Sequence, residues 1–156
     1  LYLYSVPQGG AGRFPFERWD LMSQSTTELS GWTRFLAGWI VPNWVRCASP
    51  HSQSRHYLSA LNSVKSEDRP RMLVIPISAS VAVVAEYRIR HEWNTFISYG
   101  QTKLVVYRVD TSRDNGNGPI TEVGTINQKG GTVTTDGVII SVNGIDQSGV
   151  IIEVKN

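Results

Sequence analysis

Val81-Ala-Val-Val-Ala-Glu-Tyr-Arg88 is the stretch on which the fold turns. It is rich in β-branched residues and holds no helix-capping residue. Residues 81, 83, 85 and 87 share one face at a period of two, as a strand requires. A second run, Lys103-Leu-Val-Val-Tyr-Arg-Val109, is almost continuously apolar. A strand covered on both faces reads this way, so a central position is expected.

The same period extends outward from these two runs. Residues 72–76 form a strand closed by Pro76, and residues 120–126 a weaker one. Gly130 and Gly131 mark a turn before residues 132–135. Asp136-Gly137 is the strongest hairpin signal, because both positions of a tight hairpin turn need positive φ. It leads into residues 138–142. Asn143-Gly144 reads as another turn, and residues 150–154 as the closing strand. About seven short strands with frequent turns predict an α+β chain, mainly β, with an antiparallel sandwich or jelly-roll-like sheet.

Length and composition set outer bounds. A chain of 156 residues is one domain or two small ones. Its 40% hydrophobic and 18% charged residues are ordinary for a globular protein. The 15 basic and 13 acidic residues leave a net charge of +2, which makes no electrostatic case for nucleic acid or an anionic membrane. No run approaches the roughly 18 apolar residues that span a bilayer. Cys47 is the single cysteine, so no internal disulfide or CxxC site can form; it reads as a small buried hydrophobe rather than a reactive thiol.

Upstream of residue 72 the pattern is helical and irregular. Residues 1–4 are apolar and short, ending a helix or forming a brief strand. Pro7 to Gly12 reads as a loop. Ser25 and Glu28 make a capping box for a helix whose apolar face would hold Leu29, Trp32, Phe35, Leu36 and Trp39. Pro42 ends it. Residues 48–70 are polar and read as a connection, with one helical turn around Tyr57, Leu58, Leu61 and Val64.

Few residue patterns carry chemistry. A zinc hydrolase needs two His one helical turn apart, a Glu and a third ligand. His51 and His56 are five apart in a polar stretch. His91-Glu92-Trp93-Asn94-Thr95 begins like the zinc motif but has Thr95 where the second His belongs. Gly9-Gly10-Ala11-Gly12 lacks the strand-to-helix context of a dinucleotide site, and Gly-x-Ser-x-Gly is absent. The loop from Asp110 to Pro119 offers hard oxygen ligands suited to calcium, or is an Asx- and Gly-rich turn. Trp39, Trp44 and Trp93 read as a sugar-stacking platform or as packing rings.

Trp19-Asp20-Leu21-Met22-Ser23, followed by Phe35-Leu36-Ala37-Gly38-Trp39-Ile40, resembles the Met-turn region of zinc metallopeptidases. The likeness is to secreted bacterial peptidases typified by immune inhibitor A. Leu1-Tyr2 is similar to the Leu-Tyr that follows the family's zinc helix. Lys103-Leu-Val-Val-Tyr-Arg-Val-Asp-Thr-Ser112 and Gly118-Pro119-Ile120 are similar to a later family segment. These matches occur in the family's order over most of the chain.

The resemblance implies the downstream portion of a secreted zinc metalloendopeptidase with a polypeptide substrate. Residues 1–47 would end the catalytic domain, 48–71 would connect, and 72–156 would form a β-rich accessory domain. Met22 would be an apolar floor beneath zinc, for which a soft thioether is suited. The His-Glu-x-x-His helix is absent from this chain, so catalytic residues and zinc ligands would lie upstream. The alternative is a non-catalytic β-sandwich binding or adhesion module. A truncated catalytic remnant would leave Phe14, Phe16, Trp19 and the Trp32, Phe35, Trp39 face short of packing partners.

Overall fold

Alternation within Val81–Arg88 (β4) gives the larger sheet two different faces. Val83, Ala85 and Tyr87 point into the core between two sheets, while Val84 lies in a second cluster on the opposite face. The computed structural model describes residues 16, 19–23, 28–63, 69–89, 103–114 and 117–156. Within them the fold is α+β, mainly β, with two sheets and one short α-helix.

The larger sheet has the order β1 (Val45–Cys47), β3 (Met72–Pro76), β4, β5 (Lys103–Asp110) and β6 (Ile120–Ile126). The smaller has the order β2 (Ser54–Ser59), β9 (Gly149–Lys155), β8 (Val138–Ile145) and β7 (Thr132–Thr135). All pairings are antiparallel except β1 with β3, which is parallel. Leu58, Leu73, Ile75, Leu104, Val106, Ile140, Val142, Val150 and Ile152 pack between the sheets. β5 sits between β4 and β6 with apolar residues buried on both faces, as its continuous hydrophobicity required.

Described residues from the segment before β1 pack on the outer face of the larger sheet. Phe16 and Trp19 are buried there with Met72, Val84, Val105, Tyr107, Val109 and Ile120, and Met22 and Trp32 pack beside them. The helix α1 spans Gly31–Leu36 and is capped by Ser30, whose hydroxyl accepts from the Thr33 amide. It is shorter than the expected helix, and Ser25 lies outside the described residues. The expected apolar face is divided. Trp32 is half-buried, whereas Phe35 and Leu36 are each 45% exposed and Trp39 is 67% exposed.

Three further expectations differ from the structure. Residues 54–59, read as connection or helical turn, form β2 along β9, from Ser54 opposite Val154 to Ser59 opposite Gly149. Polar residues in Ser-Arg-His-Tyr-Leu-Ser hide the strand, because only its last part enters the core. Asn143-Gly144 is not a turn. β8 runs through it with a bulge opposite Ile152 and Ile151, and the chain reverses at 146–148. There the Asp146 carboxylate accepts from the Ser148 and Gly149 amides. The expected buried Cys47 is exposed, at the end of the edge strand β1.

Asp136-Gly137 does form the expected hairpin turn, with φ of 48° and 76° joining β7 to β8. β1 belongs to the sheet built by β3–β6, and β2 to the other sheet. The segments before and after residue 72 therefore share both layers. Residues 1–4, the 7–12 loop, Phe14, Val64, His91 and Trp93 lie outside the described residues.

Leu104 is fully buried between the sheets, and Leu21 is 51% exposed. Leu104→Ala is expected to lower unfolding free energy by about 2–5 kcal/mol, against less than about 0.5 kcal/mol for Leu21→Ala, in urea denaturation. Equal losses would contradict this assignment of the core.

Candidate functional site

Trp19, Asp20 and the Leu21–Ser23 turn are tied to the layer around them by several hydrogen bonds. The Asp20 side chain is 1% exposed. Its Oδ1 accepts from the Met22 amide at 2.9 Å. Its Oδ2 accepts from the Ser30 amide at 3.1 Å, from the Thr33 hydroxyl at 2.6 Å and from the Ser30 hydroxyl. One carboxylate thus ties the turn that carries Met22 to the start of α1. A buried acceptor with several donors is favourable, whereas its loss would strand each donor without water. Met22 is half-buried, packing on the second cluster with part of its surface left uncovered.

A second polar group lies below, on β4 and β5. Glu86 and Arg88 occupy the face of β4 opposite Val83, Ala85 and Tyr87, and both are fully buried. Arg88 Nε donates to Glu86 Oε1 at 2.7 Å. Its Nη2 donates to the carbonyls of Trp19 at 2.9 Å and Leu29 at 3.2 Å. Glu86 Oε2 accepts from the Gly31 amide at 2.6 Å and the Tyr107 hydroxyl at 2.8 Å. The Tyr107 oxygen in turn accepts from the Trp32 amide at 3.1 Å. Burial alone would depress Arg88, but the charge and hydrogen bond of Glu86 hold it above its ordinary value. Burial pushes the Tyr107 phenol well above 10, and Glu86 adds to the shift.

Gly31 is dictated by this approach. A Cβ there would stand 2.7 Å from Glu86 Oε2 and 3.0 Å from Met72 Sδ. The Trp19 indole nitrogen also reaches across to β6, donating to Glu122 at 2.9 Å. Phe16 completes the seat, with its ring 4.6 Å from that of Tyr107.

The other sequence candidates are dispersed. His51 is exposed after β1, and half-buried His56 contacts Ser54 at 2.8 Å, with burial and then Arg46 lowering its pKa. Among the described residues no group of three or more His, Cys, Asp or Glu is placed to hold a metal ion. At the start of the candidate calcium loop, Asp110 Oδ1 accepts from the Ser112 amide and hydroxyl. Its Oδ2 faces Arg108 at 3.1 Å and Arg113 at 3.4 Å. Trp44 is stacked by the Arg71 guanidinium 3.9 Å from its ring, while Trp39 is exposed.

The sequence reading missed Glu86, Arg88 and Tyr107. The available signal was charge at alternate positions of an otherwise apolar strand. No helix of the described residues is long and apolar enough to cross a membrane. No family model, curated protein or solved structure matches this chain.

Asp20→Ala is expected to cost about 3 kcal/mol in urea denaturation, since it leaves several buried donors without their acceptor. A loss below about 1 kcal/mol would show that the turn does not depend on it. Asp110 gives a pH dependence. The Ser112 hydroxyl, and then Arg108, pull its carboxyl from 3.8 to about 2. Its folded-state pKa is depressed, so its stabilisation is present above about pH 4 and fades as pH falls through about 2. Thermal unfolding of wild type and Asp110→Asn should therefore differ at neutral pH and converge over that interval. A constant difference would refute the assignment.

Proposed function

We propose that this chain is the downstream portion of a secreted zinc-dependent metalloendopeptidase-like protein. In this reading the Leu21–Ser23 turn is the floor of a zinc site whose ligands and general base lie upstream, and the sandwich holds that floor. The carrying observation is the Asp20-bonded turn, seated on the sheet with Met22 only partly covered. A floor needs a fixed backbone below and an apolar surface above.

The exposure pattern divides: burial of Phe16 and Trp19 counts against a truncated remnant, and only the exposed part of the segment favours it. Phe16 and Trp19 are covered by the sheet, contrary to the expectation that they would lack partners. Leu21, Phe35, Leu36, Trp39 and Val41 remain exposed on the same segment. Large apolar side chains clustered in one segment suit contact with a further protein layer.

Zinc, when bound in the parent, would polarise a peptide carbonyl and acidify its water. The part played by this chain is confined to holding the turn: Asp20 fixes the Met22 amide, and Met22 presents an uncharged, polarisable surface. The substrate would be a polypeptide. Calcium at the Asp110 loop would have to displace Arg108 and Arg113 from the carboxylate.

The deciding experiment reads the parent frame upstream of Leu1, then measures zinc content and casein cleavage by the full-length product. His-Glu-x-x-His shortly before Leu1, stoichiometric zinc and chelator-sensitive cleavage are expected. A start or signal sequence joined directly to Leu1, with no zinc motif and no cleavage, would replace the peptidase with the non-catalytic binding module.

A further inference from the structure

Glu86, Arg88 and Tyr107 are poorly explained as sheet stabilisers alone. A buried ion pair is weak support for stability, because desolvation offsets its attraction. Apolar residues of similar volume would pack the same face. What apolar residues cannot do is bind particular backbone groups of the layer above, and this group binds four. Arg88 holds the Trp19 and Leu29 carbonyls, Glu86 the Gly31 amide and Tyr107 the Trp32 amide. These positions bracket the Leu21–Ser23 turn on both sides. Asp20 then transmits the fixed positions of Trp19 and Ser30 to the Met22 amide.

We infer that Glu86, Arg88 and Tyr107 are positioning residues through which the β-sandwich sets the place of the Met22 turn. The sandwich is thereby a working part of the site and not an appended module. The clamp itself follows from the geometry; its catalytic consequence rests on the peptidase reading above. Phe16 and Trp19 supply adhesion, each through burial of a large ring. The polar group supplies register, because hydrogen bonds to named backbone atoms are satisfied in only one seating.

Two measurements test this. In the chain itself, amide hydrogen exchange is followed in Tyr107→Phe, which keeps the ring against Phe16, and in Glu86→Gln. Tyr107→Phe should speed exchange at Trp32 about tenfold, and Glu86→Gln should do the same at Gly31 and Met22, while Ile140 and Ile152 of the smaller sheet stay within about twofold. Unchanged exchange, or an equal rise everywhere, overturns the clamp. Should Glu86→Gln fail to fold, Tyr107→Phe still decides. In the full-length parent, Tyr107→Phe should lower kcat about tenfold with KM and zinc content unchanged, as small misplacements at a reacting centre do. Wild-type kcat in that variant overturns the catalytic half while the peptidase reading stands. A parent that neither binds zinc nor cleaves casein overturns the peptidase reading and that catalytic half together, and the exchange result still judges the clamp.

Discussion

A carboxylate and a guanidinium two residues apart on a strand share one face of the sheet. On β4 that face is the outer one, where a two-layer sandwich would leave them in water. Here Glu86 and Arg88 are instead fully buried. They pair with each other, and the covering layer supplies partners for their remaining protons and lone pairs, without which a buried ion pair is costly. The partners found are backbone groups of residues 19, 29 and 31. The third layer is therefore specified by the sheet beneath it as much as by its own sequence. A Cβ at position 31 would stand 2.7 Å from Glu86 Oε2, and the guanidinium bonds the carbonyls of residues 19 and 29.

β4 was legible from its alternation, β5 from the continuous apolar run of a strand buried on both faces, and the hairpin from the positive φ of Asp136-Gly137. β2 was not legible, since Arg55, His56 and Tyr57 lie on a strand that is buried mainly at its end. Asn143-Gly144 misled because the pair favours turns, yet in β8 it sits at a bulge with its turn chemistry unused. α1 was overextended for a related reason. The spacing of Trp32, Phe35 and Trp39 is helical, but a chain can keep that spacing after the hydrogen-bonded helix has ended.

Of the bonded seat around the Leu21–Ser23 turn, only the turn itself stood out in the sequence. Met22 and its flanking Asp20 stood out by their local order with Trp19 and Ser23. The buried group beneath them did not, because Glu86, Arg88 and Tyr107 come from two strands and meet residues some 55 to 75 positions away. No local periodicity encodes such a meeting. Glu86 and Arg88 in an apolar strand read as ordinary solvated charges until the layer that covers them is known.

The pairing of β2 with β9 bears on how the chain is made. β2 enters the smaller sheet beside a strand that is synthesised about 100 residues later. At ordinary translation speeds of about 5–20 residues per second, roughly 5–20 seconds pass before its partner exists. During that interval the β3–β4–β5 meander can pair through neighbouring strands, but Leu58 has no second sheet to enter. Polar Ser54, Arg55 and His56 then serve the nascent chain. They keep a strand in waiting soluble and make it a poor template for pairing with another copy.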